Sequence, residues 1–354
     1  MKLKSFYLFK MSFIVNTIKC LSLVSCCYFI NIAIAFDIYE NKNFYSNIPY
    51  TSKKIKNVSN AKIIKTTVKN NFSLSNFTDK KTIKVVAAEN FYGDIAEIIS
   101  GSSSKVESII TNNHADPHLF NTSAKTAIMM KSTDVIIFNG ADYDPWIQSF
   151  INIRQNNNSV IIDISSLMNI HSGDNPHICY NPKTFKKLAE RLTEIFSILI
   201  PENKKKFQFN LKIFLQQYES IEDLIQNIKS KYQGIKVTAT EPIFGYMAKA
   251  LGLVMVGHKF QWVMMNNAEP TPKMLIKYQK ILTNKNVHVL FHNKQVHGGT
   301  VDTSLKLAKK SNITVIGLTE TMPKSNNVIT WFKKILKKTK KALAQSDQIS
   351  KNLN

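Results

Sequence analysis

Cysteine, glycine, proline and acidic residues are all scarce in this sequence of 354 residues. It contains 4 Cys, 11 Gly and 10 Pro. Four cysteines exclude a disulfide-dense scaffold, and the composition is neither that of collagen nor that of a coiled coil. The acidic residues number 24 against 47 Lys+Arg, which gives a formal net charge of +23. Taken alone, such an excess of positive charge is typical of a nucleic-acid binder.

The positive charge lies mostly at the two ends of the chain. Residues 1–81 and 324–354 together carry +17 of the +23, which leaves +6 for residues 82–323. The middle of the chain therefore has no polyanion-binding character, and we expect no nucleic-acid partner. Hydrophobic residues make up 44% of the chain, enough to bury a core. At roughly 100–200 residues per domain, the length predicts two domains or one large one.

The N-terminus has the pattern of a secretory signal. Three lysines fall within the first ten residues, and an apolar run from residue 20 to residue 35 follows. The run ends in Ala33-Ile34-Ala35, which predicts cleavage after Ala35. A lipoprotein box ending at Cys26 and an uncleaved membrane anchor are the two alternatives. All three readings predict export, with a periplasmic location, and cleavage would leave Cys179 without a disulfide partner.

Short apolar runs alternate with helical patterns from residue 82 onward. This alternation predicts βαβ units, and the fold class is α/β: two lobes with mostly parallel sheets flanked by helices, joined by one long interlobe helix. That helix is predicted over 204–232 from an apolar stripe with a period near 3.6. The predicted organisation is a signal peptide (1–35), an Asn/Lys/Ser-rich disordered linker (36–81), an N-terminal lobe (82–203), the interlobe helix (204–232), a C-terminal lobe (233–345) and a tail (346–354).

Histidines and carboxylates occur in several of the predicted strand-to-helix loops. His114 and His118 follow the second strand, His177 precedes a later helix, and Glu241 and Glu320 each follow a strand of the second lobe. The carboxyl ends of parallel strands are where α/β proteins bind ligands. Two imidazoles and two carboxylates brought together there would form a site suited to Zn²⁺ or Mn²⁺, and less well to Fe²⁺.

The same loops carry the motifs of a known family. The chain resembles the metal-binding proteins of bacterial zinc and manganese ABC importers, the cluster A-I substrate-binding proteins. The matching stretches follow the family's order across residues 82–345 and are Ala87–Asp94, Asp116–Phe120, Asn139–Trp146, Asn175–His177, Ala239–Met247 and Gly317–Pro323.

The resemblance implies a function and a set of ligands. His118, His177, Glu241 and Glu320 take the family's ligand positions, and His114, His292 and His297 are additional histidines near family loops that could join or replace a ligand. The implied function is capture of a divalent metal ion, Zn²⁺ first and Mn²⁺ second, and its delivery to the membrane permease of an ABC importer. The implied protein is a monomer and not an enzyme, with no catalytic cofactor.

Two other classes of protein remain as alternatives. A secreted metallohydrolase could use His114, Asp116 and His118 around a metal with an open position. The sequence contains neither a Gly-x-Ser-x-Gly nor a His-Glu-x-x-His motif, which argues against that class. A metal-independent surface or adhesion protein, using the lysine-rich C-terminal region, is the second alternative.

Overall fold

A computed structural model describes residues 81–112, 114–153 and 159–351. The predicted signal peptide and nearly all of the predicted linker lie outside the described residues, as do the last three residues of the predicted tail. Within the described part of the chain, no helix combines the length and apolar character that crossing a bilayer requires.

The first lobe is built on a four-stranded parallel sheet with the strand order β2-β1-β3-β4. In chain order its elements are β1 (Ile83–Glu89), α1 (Asn90–Ser100), β2 (Ser104–Ile110), α2 (Ala124–Lys131), β3 (Val135–Phe138), α3 (Ile147–Ile153), β4 (Val160–Asp163), α4 (Ile164–Met168) and α5 (Thr184–Leu199). β1 and β3 are central strands, and every described residue of β3 is buried. Burial on both faces explains why β3 and residues 85–88 of β1 are continuous apolar runs and not alternating ones.

The second lobe repeats the topology with the strand order β6-β5-β7-β8, again all parallel. In chain order the remaining elements are α6 (Lys204–Tyr232), β5 (Lys236–Ala239), α7 (Gly245–Ala250), β6 (Val254–Val256), α8 (His258–Met265), α9 (Pro272–Thr283), β7 (Val289–Asn293), α10 (Gly299–Lys310), β8 (Thr314–Leu318) and α11 (Val328–Lys351). The α/β fold class with two parallel-sheet lobes is confirmed.

The 29-residue helix α6 connects the two lobes and coincides with the predicted interlobe helix. At 1.5 Å per residue it is about 44 Å long. Its buried side chains recur at the helical period and join one apolar core that includes residues of both sheets. These side chains are Phe207, Phe214, Tyr218, Ile221, Ile225 and Ile228.

The last helix, α11, packs against helices of the first lobe. The ring of Trp331 stacks on that of Phe91 at a centroid distance of 5.9 Å, and Phe332 meets Phe185 edge-on at 5.4 Å. The chain therefore crosses from the second sheet back to the first after β8. The exact domain boundaries within 82–345 stay a prediction.

The segment that follows β8 is bonded to the first lobe. The Asn90 side chain donates to the Met322 carbonyl and accepts from the Met322 N–H, at 2.5 and 3.1 Å. The Tyr180 hydroxyl donates to the Thr319 carbonyl at 2.7 Å. These bonds fix residues 319–322 against the carboxyl edge of the first sheet, the edge at which ligands of α/β proteins bind.

Candidate metal centre

His118 lies in a loop of residues 114–123 that follows β2, which we call the His118 loop. Its backbone N–H donates to Asp116 Oδ1 at 2.8 Å, and its Nδ1 lies 3.1 Å from the Asp142 carbonyl oxygen. A carbonyl oxygen only accepts hydrogen bonds, so in the neutral ring Nδ1 is the donor and Nε2 has the free lone pair. The His118 side chain is 18% exposed, yet its Nε2 is buried. The nitrogen able to bind a cation thus faces inward.

His177 is fully buried at the end of the Asn175-Pro176-His177 stretch. Its Nδ1 lies 2.8 Å from Asn175 Oδ1, and its Nε2 lies 3.1 Å from Glu320 Oε1. Burial lowers the pKa of His177 to about 3, so this imidazole is neutral at physiological pH. A neutral His177 that donates from Nδ1 presents the lone pair of Nε2 to Glu320. In the metal-free protein the carboxyl of Glu320 therefore supplies the proton in this bond.

Glu320 follows β8 and is 1% exposed. Its Oε1 accepts from Asn293 Nδ2 at 3.0 Å and lies 4.0 Å from His118 Nε2. Burial is the largest cause that raises its pKa to about 7. The backbone of Glu320 is fixed on both sides, because its N–H donates to Gln295 Oε1 at 2.5 Å and its carbonyl accepts from the Tyr143 hydroxyl at 2.7 Å.

Glu241 follows β5, at the start of a short 3₁₀ turn, Pro242–Phe244, and is 3% exposed. Its Oε2 accepts from Asn293 Nδ2 at 2.9 Å. Burial, followed by the charge of Glu320, raises the pKa of Glu241 to about 8. At neutral pH and without a cation, Glu241 is therefore mostly protonated and Glu320 is partly protonated.

Among the described residues, one group of His, Cys, Asp or Glu side chains has the arrangement of a metal site. It comprises His118, His177 and Glu320, whose ligand atoms all lie within 4.8 Å of one another. Glu241 is connected to this group through Asn293, which bonds to both carboxylates. The additional histidines of the loops, His114, His292 and His297, are not in the group.

Two atoms of the group are buried without a hydrogen-bond partner among the described residues, His118 Nε2 and Glu320 Oε2. A buried polar atom without a partner is costly, and native structures keep few of them. A nitrogen lone pair and a carboxylate oxygen are both electron donors, so a cation bound between them would satisfy both. The donor set fits a divalent metal ion of borderline softness.

Asn293 and Gln295 were not predicted from the sequence as parts of this site. Both lie at the carboxyl end of β7, the edge to which the other ligands are also brought. Asn293 is the last residue of β7, and no local feature of the sequence marks it or Gln295 as part of a site. Cys179, two residues after His177, is a buried free thiol whose pKa is raised by burial, as expected of a structural cysteine.

A bilobed α/β fold with a buried nitrogen–oxygen cluster between its lobes is the architecture of a metal-ion substrate-binding protein. The chain belongs to the family described as "Zinc-uptake complex component A periplasmic" (ZnuA), whose model matches residues 85–342. Membership confirms the resemblance carried by the loop motifs. It also confirms the predicted class, a metal-binding protein of an uptake system. The family description is that of a periplasmic uptake component.

Individual relatives are distant but cover most of the chain. The high-affinity zinc uptake system protein ZnuA of Bacillus subtilis is 20% identical over 253 residues, which are 66% of this chain and 78% of that protein. The metal ABC transporter substrate-binding lipoprotein ScbA of Streptococcus cristatus is 21% identical over 256 residues, 67% of this chain and 79% of that protein.

A solved structure has the same fold. The manganese-bound periplasmic metal binding protein from Candidatus Liberibacter asiaticus superposes with a TM-score of 0.61 at 17% identity. The match covers 74% of this chain and 99% of that chain. At this level of identity the likeness concerns the fold.

Proposed function

We propose that this protein captures a divalent transition-metal ion, Zn²⁺ first and Mn²⁺ second, and delivers it to the membrane permease of an ABC importer. The proposed ligands are His118, His177, Glu241 and Glu320. The single observation that carries the proposal is the inward-facing group of His118, His177 and Glu320, with ligand atoms within 4.8 Å of one another. Relatives described as zinc-uptake, metal-transport and manganese-bound proteins support the same class of ligand.

The chemistry of the ligands favours capture over catalysis. A site with four protein ligands keeps no open position for the water that a catalytic zinc ion activates. Zn²⁺ stands first because it binds a given nitrogen–oxygen site more tightly than Mn²⁺ in the Irving–Williams order. Asp116, which a hydrolase would need as a ligand, has its Oδ1 bonded to the His118 backbone N–H at 2.8 Å. We infer that the protein is not an enzyme and acts as a monomer.

We further infer that the protein acts outside the cytoplasm. The family is described as periplasmic. The sequence of residues 1–35 supports export through a secretory signal cleaved after Ala35, and lipid anchoring at Cys26 is the alternative. N-terminal sequencing and mass measurement of the exported protein distinguish the two, because only the lipoprotein carries acyl mass on an N-terminal cysteine.

The test of the function is metal binding by the wild type and by site variants. Protein purified without added metal is analysed for its elements, stripped with a chelator, and titrated with Zn²⁺ and Mn²⁺ in competition with a chelator of known affinity. We expect one ion per chain for the wild type and a large loss of affinity for His118→Ala and Glu241→Ala. His171→Ala, at an exposed loop histidine, is the matched control.

Two results would contradict the proposal. Stoichiometric binding with unchanged affinity in both His118→Ala and Glu241→Ala would show that these residues are not ligands. Failure of the wild type to bind either ion would exclude the function itself and leave a metal-independent protein.

A further inference from the structure

Gln295 lies two residues beyond β7 and connects the two sides of the candidate metal centre. Its Oε1 accepts from the Glu320 backbone N–H at 2.5 Å, and its Nε2 donates to the Ala115 carbonyl at 2.6 Å. Ala115 belongs to the His118 loop of the first lobe. The side-chain amide of Gln295, in the second lobe, therefore bonds both to the backbone of Glu320 and to the loop that carries His118.

Gln295 also fixes the amide that holds the two carboxylates. Its backbone N–H donates to Asn293 Oδ1 at 3.1 Å. This bond orients the Asn293 side chain so that Nδ2 points toward Glu241 and Glu320. The backbone of Gln295 thus supports the two carboxyl groups by way of Asn293, and its side chain bonds to the His118 loop.

The His118 loop needs such a contact because it has no regular secondary structure. Residues 119–123 are half-buried or exposed. On the first-lobe side, Trp146 Nε1 donates to the Pro117 carbonyl at 3.2 Å. On the second-lobe side, Gln295 Nε2 bonds to Ala115, and Thr321 Oγ1 donates to the Asn112 carbonyl at 3.2 Å just before the loop. Release of a bound ion requires His118 to move away from Glu320, and these second-lobe bonds oppose that motion.

We propose that Gln295 is a positioning residue that retains the metal by bonding the His118 loop to the second lobe, so that it sets the rate of metal release. This inference rests on the proposed function. Bonds around the ligands of a metal site change its affinity by 10- to 100-fold when they are removed. Because the loop must open before the ion leaves, the effect of Gln295 falls mainly on dissociation.

Two substitutions separate the loop contact from other roles of the side chain. Gln295→Ala removes all three side-chain hydrogen bonds, which include a longer one from Nε2 to Thr321 Oγ1 at 3.4 Å. Gln295→Glu retains an acceptor for the Glu320 N–H but cannot donate to the Ala115 carbonyl while it is ionised. An added negative charge near the site would, through Coulomb attraction alone, slow the release of a cation. Loss of the loop contact would speed release, so the two effects have opposite signs.

The experiment measures Zn²⁺ release from the full-length protein by stopped-flow transfer to an excess of a fluorescent chelator. The variants are wild type, Gln295→Ala, Gln295→Glu and Gln226→Ala, an exposed glutamine on α6 that serves as control. We expect both Gln295 variants to release Zn²⁺ on the order of 10-fold faster than wild type and control. The thermal midpoint of the metal-free protein should be the same in all four.

The remaining outcomes overturn the proposal. Wild-type release from Gln295→Ala, or unchanged or slower release from Gln295→Glu, would show that the loop contact does not retain the metal. Faster release accompanied by a lower metal-free midpoint would assign Gln295 a merely structural role. Absence of Zn²⁺ binding by the wild type would refute the proposed function and this inference together, whereas tight wild-type binding with unaffected variants would refute this inference alone.

Discussion

Replacing Glu89 by Gln should change how the stability of the protein depends on pH. Glu89 is the last residue of β1 and is fully buried, beside the equally buried carboxyl of Asp144. Burial is the main cause that raises the pKa of Glu89 well above its usual value, and the nearby charge of Asp144 raises it further. An ionised carboxylate in such a place is strongly disfavoured. Glu89 therefore keeps its proton in the folded protein at neutral pH.

The sign of the effect follows from proton binding. An unfolded Glu loses its proton near pH 4.3, whereas the folded Glu89 keeps it to a much higher pH. Above pH 4.3 the folded state thus holds one more proton than the unfolded state. The free energy of unfolding falls by about 1.4 kcal/mol per pH unit from this group until pH passes its folded pKa. The contribution of Glu89 to the free energy of unfolding is fully present below the pKa of the unfolded state and is lost as pH rises.

Glu89→Gln removes this titration while preserving the shape of the side chain. The difference in unfolding free energy, variant minus wild type, should therefore increase by about 1.4 kcal/mol per pH unit, or about 3 kcal/mol between pH 5 and pH 7. Taking the difference cancels the other titrating groups. Asp144, whose pKa burial raises to about 7, is the exception, because its side chain interacts with that of Glu89 and the substitution changes its pKa as well.

The assay is urea unfolding of metal-free protein in the presence of a chelator at pH 5, 6 and 7. Glu97→Gln removes an exposed carboxyl from α1, the helix that follows Glu89, and is the matched control. A difference between Glu89→Gln and wild type that stays constant from pH 5 to pH 7 would refute the reasoning, because it would mean that folding does not change the proton affinity of Glu89.

Three further predictions concern the site and its support. Zn²⁺ must displace the protons of Glu241 and Glu320, whose pKa values are about 8 and about 7. Below pH 7 the Kd measured by competition titration should therefore rise about tenfold per pH unit for each proton displaced. A Kd that is constant between pH 7 and pH 6 would contradict this. Asn293→Ala removes the hydrogen bonds to Glu241 and Glu320 and should weaken Zn²⁺ binding about 10- to 100-fold without abolishing it. Unchanged binding would show that Asn293 does not position the two carboxyl groups. Gly140→Ala should destabilise the fold by about 2 kcal/mol or more, because φ is +71° at this position and an added Cβ would lie 2.4 Å from Asp163 Oδ1. A thermal midpoint equal to that of wild type would contradict this prediction.

The architecture was predictable where the apolar period was long. The buried stripe of α6 runs from Phe207 to Ile228, about six turns, and the bounds of the helix are those predicted from the sequence. β6, in contrast, was not predicted, because it has three residues, Val254–Val256, between Gly252 and Gly257. A strand this short has no period of its own and forms only through pairing with β5.

The ligands were predictable as a group because parallel strands bring the loops after them to one edge of each sheet. His118, His177 and Glu320 meet there as expected, and their roles as ligands stay a prediction. Asn293 and Gln295 could not be recognised, since the chain is rich in amides and nothing local distinguishes a buried one from a solvated one. Their roles depend on partners in distant segments, 52 residues away for the Asn293–Glu241 bond and 180 for the Gln295–Ala115 bond.

The hydrogen bonds around residue 320 limit how the two lobes can move during metal capture. Glu320 follows a strand of the second sheet, yet its carbonyl accepts from Tyr143, and the adjacent Thr319 carbonyl accepts from Tyr180, both of the first lobe. Three of the four proposed ligands are thus held to the first lobe, and Glu241 is held to them through Asn293. A wide opening of the lobes would break these buried bonds and α6 would resist it, because its core is shared by both lobes. His118 is the partly exposed member of the group, at 18% against 0% for His177 and 2% for Glu320, so we expect the contacts of its loop to control both entry and release of the metal ion.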